Sequence, residues 1–316
     1  MVRSGEFATI ARLAERFREG NAPGIVLGIG DDAAVLEPPR EGKLVWTIDE
    51  QVEGTHFRRE LAGWQDIGWR SFMAAASDLA AMGADPWCAL IALSLPADLY
   101  DEELDALSGG QHAAALKVGA QVVGGNMTRG EAAVVTTTLL GTCGHAVSRK
   151  GARSRDGIWI AGDVGLAAAG LVALERATLD ERFELAVRAW LRPVARIGDG
   201  ARMSPVAHAA IDVSDGLAQD LAHLAATSGV CALLDEAALR AHAASAGLRN
   251  VAELLSLDEL DLMLDGGEDY ALVVASDQPI EGFWHAGSFR EGEGVMLVCS
   301  DGSERELTPH GFDHFR

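Results

Sequence analysis

The stretch Gly28-Ile29-Gly30-Asp31-Asp32-Ala33-Ala34-Val35 sets two carboxylates directly behind glycines, between two apolar segments. Adjacent aspartates repel one another and favour solvent, so their pairing calls for a partner. A hard divalent cation is such a partner, because it takes oxygen ligands and neutralises their charge. Three more stretches carry aspartates in similar settings: Thr47-Ile48-Asp49, Ser77-Asp78-Leu79 and Asp212-Val213-Ser214-Asp215-Gly216. Together they read as a chain built to gather carboxylates around Mg²⁺ and phosphates.

Composition narrows the field. A chain of 316 residues is long for a single core and points to two domains. A net charge of −21 argues against a nucleic-acid partner, which needs a basic face. The same charge opposes an anionic substrate unless metal ions stand between protein and ligand. No segment has the apolar length of a membrane span, and the N-terminus lacks a charged-then-apolar signal pattern, so a cytoplasmic protein is expected. Cys88, Cys143, Cys231 and Cys299 lie far apart without CxxC spacing, which predicts reduced, mostly buried thiols.

Along the chain, Phe7, Ile10, Ala11, Ala14 and Phe17 fall at helical spacing and predict an amphipathic helix over 6–18. Residues 44–48 read as a strand with Asp49 at its C-terminal end. A helix over 64–82 carries Asp78, and an apolar strand follows over 87–95. A second helix over 101–118 contains Gly109-Gly110, at a cost of roughly 1 kcal/mol per glycine. Residues 121–123 form a short strand entering the run Gly124-Gly125-Asn126-Met127-Thr128-Arg129-Gly130, and 132–142 form another strand. This β-α-β-α-β-β order belongs to an α+β domain with helices on one face of its sheet. The basic, small-residue run at 148–155 marks a boundary, giving domains 1–147 and 148–316. Beyond it, strands at 158–161, 209–211 and 271–275 alternate with helices near 166–176, 180–191 and from Leu217, the last closed by Gly229.

Gly28, Gly30 and Ala33 match GxGxxA, but two carboxylates would face a pyrophosphate and Pro38-Pro39 follows too soon for the required helix. There is no GxxxxGK[ST], which excludes a P-loop kinase. Asp212 and Asp215 flank Ser214 where a strand gives way to a helix, and free N–H groups there suit phosphate oxygens. Either Ser214 or Asp215 could equally be an N-cap. His56 is a candidate phosphate contact or a structural histidine. Arg129 and Arg149 fit phosphate binding or surface ion pairs.

The motifs converge on a family. Gly-Ile-Gly-Asp-Asp-Ala, Asp49 with Val52-Glu53-Gly54-Thr55-His56-Phe57, and the run from Ser77-Asp78 to Asp85-Pro86 resemble the thiamine-monophosphate kinases. So do Gly124 to Gly130, Ile211-Asp212-Val213-Ser214-Asp215-Gly216-Leu217, Gly266-Gly267-Glu268-Asp269-Tyr270 and Gly311-Phe312-Asp313-His314-Phe315. These follow the family's order over essentially the whole chain.

The resemblance implies transfer of the ATP γ-phosphoryl group to thiamine monophosphate, giving thiamine pyrophosphate. It implies the two-domain α+β fold of the aminoimidazole-ribonucleotide synthetase superfamily, with N-terminal sheets paired across a homodimer and a C-terminal α/β domain completing each site. By motif position, Asp32, Thr47, Asp49, Asp78, Asp212 and Asp215 become Mg²⁺ ligands, with Ile48 acting through its carbonyl. Asn126 also falls at a metal position, and Gly125, Asn126, Arg149 and Ser214 hold ATP or its metal. His56, Glu268 and Phe312 contact the thiamine phosphate. The acceptor is already a phosphate oxygen, so no dedicated general base is expected, and catalysis rests on positioning and charge stabilisation. Two positions depart from the pattern: Asn126-Met127 stands where Asp-Thr is common, and Ile48 where Thr is common. The competing readings are another ATP-using member of the superfamily and a non-catalytic metal-nucleotide binder.

Overall fold

A computed structural model of the chain describes residues 6–18, 22–30, 33–177, 180–308 and 311. The chain divides into two compact units, Met1–Leu79 with Ala84–Gly144, and Ala80–Gly83 with His145–Arg316.

The first unit runs α1 (Glu6–Phe17), β1 (Ile25–Leu27), β2 (Val35–Leu36), β3 (Lys43–Val52), α2 (Trp64–Ala81), β4 (Asp85–Leu95), α3 (Asp101–Val118), β5 (Gln121–Arg129) and β6 (Val134–Cys143). Its main sheet has four strands in the order β3-β6-β4-β5. Only β4 and β5 run parallel, joined by a crossover through α3. The small β1-β2 hairpin packs Ile25 and Leu36 onto Trp87, whose indole donates to the Pro23 carbonyl at 2.7 Å.

Period-two alternation sorts the sheet's faces. On β6, Val135, Thr137, Leu139 and Gly141 are buried and their neighbours are not. The inner face takes α2, where Leu79 packs against Gly141 and Ile67, Phe72 and Met73 are fully buried. The outer face exposes Leu44, Trp46 (72%), Ile48 (67%) and Leu90.

Of the two glycines inside α3, Gly110 has a packing reason, whereas a Cβ on Gly109 would meet nothing. A Cβ on Gly110 would stand 2.0 Å from the Gln65 carbonyl oxygen, and one on Gly68 would stand 1.9 Å from that of Leu107. Helices α2 and α3 thus touch backbone to backbone, which only glycine permits, and the propensity cost is offset by that approach.

Two expectations need correction. Asp49 lies within β3, which continues to Val52, because the pairing with β6 holds through Val52↔Val134. The glycine run after Val123 is strand rather than loop, because a register shift at Ala89/Leu90 lets β5 stay paired with β4 to Arg129.

The second unit runs β7 (Gly157–Ala161), α4 (Leu166–Glu175), a 3-10 turn, α5 (Glu184–Leu191), α6 (Ile197–Met203), β8 (Ala209–Asp212), α7 (Leu217–Ser228) and β9 (Cys231–Asp235). It continues through α8 (Glu236–Ser245), α9 (Leu248–Leu255), α10 (Glu259–Asp265), β10 (Leu272–Ser276), β11 (Trp284–Arg290), β12 (Val295–Val298) and β13 (Glu304–Glu306). Seven strands form one sheet in the order β13-β12-β9-β11-β7-β10-β8. A large helical layer buries Leu166, Phe183, Leu217, Leu221, Leu248 and Met263 on one face. A smaller cluster of Met203, Val147, Leu272 and Phe283 covers the other. Helix α7 ends at Gly229 in the left-handed region, φ 71°, as its sequence foretells.

Cys88, Cys143 and Cys231 are buried, Cys299 is half-buried, and none is paired. Burial pushes the Cys88 thiol up to about 11, which makes it an inert packing group. Among the described residues no helix is long and apolar enough to cross a membrane.

Candidate active site

Each unit carries its own set of the residues singled out by sequence. In the first, β3 alternation puts Thr47, Asp49 and Gln51 on the inner face, opposite exposed Trp46, Ile48 and Glu50. Helix α2 brings Asp78 to the same place, and the Thr47 hydroxyl donates to its carboxylate at 2.5 Å. The Gln51 amide nitrogen donates to Asp49 at 3.1 Å and orients that carboxylate. Thr137 faces Asp49 across the β3-β6 ladder, and its buried hydroxyl and the Gln51 amide oxygen have no hydrogen-bond partner among the described residues. The site thus offers only oxygen donors, two of them unsatisfied, the donor set of a hard cation. The Ile48 side chain points the other way, so only its carbonyl is available to such a site. Asp32 lies outside the described residues, and among those described no three His, Cys, Asp or Glu side chains form a metal cluster.

His56 sits in the turn after β3, where Gly54 adopts φ 86°. Its Nδ1 accepts the Val52 N–H at 3.0 Å, which places the proton of the neutral ring on Nε2. Gly125 is in β5, where a Cβ would meet the Ile91 carbonyl oxygen at 2.0 Å. Gly125 and Asn126 border a cavity of about 170 Å³ walled by α1, α3 and the β4-β5 strands.

In the second unit, β8 ends at Asp212, whose side chain is buried, and the loop Val213-Ser214-Asp215-Gly216 turns into α7. The loop is tied down by Asp220 in the first turn of α7. Its carboxylate accepts the N–H groups of Ser214 and Asp215 at 2.9 and 3.0 Å. Burial, with the charges of Asp212 and Asp215, pushes Asp220 up to about 7, against the pull of those two N–H bonds. Neither Ser214 nor Asp215 is the N-cap of α7; Gly216 holds that position.

A second loop zips onto the first. Glu268 N–H donates to the Ser214 carbonyl, Tyr270 N–H to Val213, and Val213 N–H to Ala271, each at 2.8 Å. Gly267 lies so close that a Cβ would stand 2.3 Å from the Ser214 carbonyl oxygen. Glu268 and Tyr270 hold left-handed conformations, φ 63° and 50°, uncommon for residues with side chains. The Trp190 indole donates to the Glu268 carboxylate at 2.6 Å. Next to it, Asp269 caps α4 by accepting from Gly165 and Ala167 at 2.6 and 3.0 Å. Burial, joined by the charges of Asp163 and Glu268, pushes Asp269 up to about 7 despite those two bonds.

The structure thus joins Thr47 with Asp78, and Ser214 with Glu268. Arg149 is exposed, and its carbonyl accepts from the Ser228 hydroxyl in the last turn of α7, at the opposite end of that helix from Ser214. Arg129 is exposed at the end of β5. Phe312 lies outside the described residues. Sequence reading missed Gln51, Thr137, Trp190 and Asp220. For Asp220 a signal existed: an acid in the first turn of a helix, between the apolar positions Leu217, Leu221 and Leu224 and directly behind the acidic loop.

Known proteins resemble the chain in sequence and in fold. Residues 30–143 fit the model of the AIR synthase related protein, N-terminal domain. The chain is 36% identical over 304 residues to the thiamine-monophosphate kinase of Mycobacterium tuberculosis, covering 95% of this chain and 89% of that one. A crystal structure of the Stenotrophomonas maltophilia thiamine-monophosphate kinase superposes with a TM-score of 0.79 at 35% identity, covering 95% of this chain and 97% of the other. AaThiL complexed with AMPPCP and TMP superposes with a TM-score of 0.81 at 30% identity, covering 100% and 99%. With identity of this order running almost end to end, the chain belongs to the thiamine-monophosphate kinase family.

Proposed function

We propose that the chain transfers the γ-phosphoryl group of ATP to thiamine monophosphate, giving thiamine pyrophosphate in the cytoplasm. The observation that carries this reading is the near-complete superposition on AaThiL complexed with AMPPCP and TMP. Gly125 and Asn126 serve the nucleotide, with Ser214 and Arg149 reaching its phosphates. His56, Glu268 and Phe312 take the thiamine phosphate.

Both reactants are anions and the chain carries a net charge of −21, so their approach needs compensation. Mg²⁺ supplies that compensation when bound, polarising phosphoryl oxygens and screening their charge. The chain's part is to hold it. Thr47, Asp49 and Asp78 do so in the first unit, with the Ile48 carbonyl, Asp32 and Asn126. Asp212 and Asp215 do so in the second. Gln51 fixes the Asp49 carboxylate, and Asp220 fixes the backbone of Ser214 and Asp215, so these donors pay little reorganisation during transfer. The attacking oxygen is largely deprotonated near neutral pH, so no side chain is assigned as a base.

The exposed outer face of the first sheet, with Leu44, Trp46, Ile48 and Leu90, suits a second copy of the chain. In this reading the homodimer is built on that face.

A coupled assay of ADP release with thiamine monophosphate and Mg²⁺, with chromatography of the product, tests the activity. Absence of thiamine pyrophosphate at saturating substrates rejects it.

A further inference from the structure

We propose that Asp269 is a positioning residue for the phosphoryl acceptor: by gripping the N-terminus of α4 it fixes the segment that presents Glu268. This inference rests on the kinase reading above, in which Glu268 contacts thiamine monophosphate.

Helix α4 has no N-terminal cap from its own neighbourhood. Its N-cap is Gly165, which offers no side chain, and its first turn holds no acidic residue. A side chain has no room there, because a Cβ on Gly165 would stand 2.9 Å from the backbone of Leu262. The acceptor comes instead from 104 residues further along the chain. Each oxygen of the Asp269 carboxylate takes one N–H, that of Gly165 at 2.6 Å and that of Ala167 at 3.0 Å. A carboxylate suits this end of a helix, where N–H groups point outward and the dipole is positive.

Capping alone does not account for the backbone on either side. Glu268 and Tyr270 both hold left-handed conformations, while Gly266 and Gly267 just before them do not. A residue with a side chain keeps such a conformation only where its surroundings enforce it, and such residues gather at ligand sites. Here the enforcement comes from two sides. The N–H groups of Glu268 and Tyr270 donate to the carbonyls of Ser214 and Val213, and the carboxylate of Asp269, between them, holds α4.

The Glu268 side chain is fixed on the same body. Its carboxylate takes the Trp190 indole N–H from α5. Helices α4 and α5 touch so closely that a Cβ on Gly170 would stand 2.0 Å from the Ala186 carbonyl oxygen. Asp269 thus pins the main chain of the loop, and Trp190 the carboxylate, to one tightly packed helix pair. Glu268 itself is only half-buried and keeps surface for a ligand.

The test is a double-mutant cycle of Asp269→Asn and Glu268→Ala, read as kcat/KM for thiamine monophosphate and, separately, for ATP. Asparagine keeps the shape of the side chain but has one acceptor for two N–H groups. It should lower kcat/KM for thiamine monophosphate about tenfold, the scale of one hydrogen bond to a charged group, and leave that for ATP within about twofold of wild type. In the Glu268→Ala background the same substitution should change little, because the group it positions is gone. A merely structural role predicts otherwise: both substrates suffer alike, or the loss multiplies in the Glu268→Ala background. Either result, or wild-type kinetics in Asp269→Asn, overturns the proposal. If Asp269→Asn does not fold, Asp269→Ser replaces it, with one acceptor on a smaller side chain. If neither folds, the contact serves folding and the proposal falls. Failure of the kinase reading is separate. Wild type then makes no thiamine pyrophosphate, and the same cycle is read as the Kd for thiamine monophosphate with Mg²⁺ and a non-hydrolysable ATP analogue. Wild type that binds no thiamine monophosphate overturns both.

Discussion

The indole N–H of Trp190 donates to the carboxylate of Glu268 at 2.6 Å, across 78 residues of chain. One oxygen of the proposed substrate-binding glutamate is thereby fixed by a group that never titrates. Trp190→Phe keeps an aromatic ring in the core but removes the donor. It should raise the KM for thiamine monophosphate about tenfold, the scale of one hydrogen bond to a charged group, and leave the KM for ATP unchanged. Initial-rate kinetics with each substrate varied in turn checks this.

Asp78 accepts from Thr47 at 2.5 Å, a bond that asparagine can still accept. Asp78→Asn therefore keeps local packing while deleting a charge. We expect turnover to fall by about 100-fold or more, the usual scale for losing a positioned electrostatic group, with little change in melting temperature. Wild-type turnover in this variant, measured over a range of Mg²⁺ concentrations, removes Asp78 from the metal ligands.

Asp220 and Asp269 are both pushed from the usual 3.8 up to about 7 in the folded chain, mainly by burial. In the unfolded chain each ionises near the usual value. Between these two values the folded state binds more protons, so stability falls as pH rises through this window and levels off above it. Without metal, their contribution to stability should be greatest near the acidic end of that window. Asp220→Asn should remove its share of the slope, on the order of 1 kcal/mol per pH unit at the steepest point. Urea unfolding at half-unit pH steps measures the effect.

Trp46 is 72% exposed on the open face of the first sheet, beside Ile48 and Leu44. Trp46→Asp should turn a dimer into a monomer, because a buried unpaired carboxylate is costly at an interface. Light scattering coupled to size exclusion reports the mass, and a variant that stays dimeric places the interface elsewhere.

Local periodicity carried much of the fold. Helix α3 spans Asp101–Val118, the range its sequence indicates, because acidic residues open it and Gly119 closes it. The glycines within it looked like a penalty, and the purpose of Gly110 emerges only when the Gln65 carbonyl of α2 appears against it. The strand over 121–123 seemed to stop at the glycine run because glycine weakens strands in general, whereas here β4 keeps it paired to Arg129. The acidic motifs were legible because each is contiguous. Thr137 and Trp190 were not, because each matters through a partner supplied by distant chain.

The crossover β4-α3-β5 also bears on how the protein comes into being. Most of the cavity's lining, from Ile91 and Leu93 through Ser108 and Gln111 to Val122 and Met127, is drawn from this single uninterrupted span. Its walls can meet with modest loop-closure entropy, before more remote pairings form. The zipped loops around Ser214 and Glu268 require a far longer detour of chain to find each other. During synthesis, this cavity can therefore take shape early, whereas the acidic loops must await the chain as far as Tyr270.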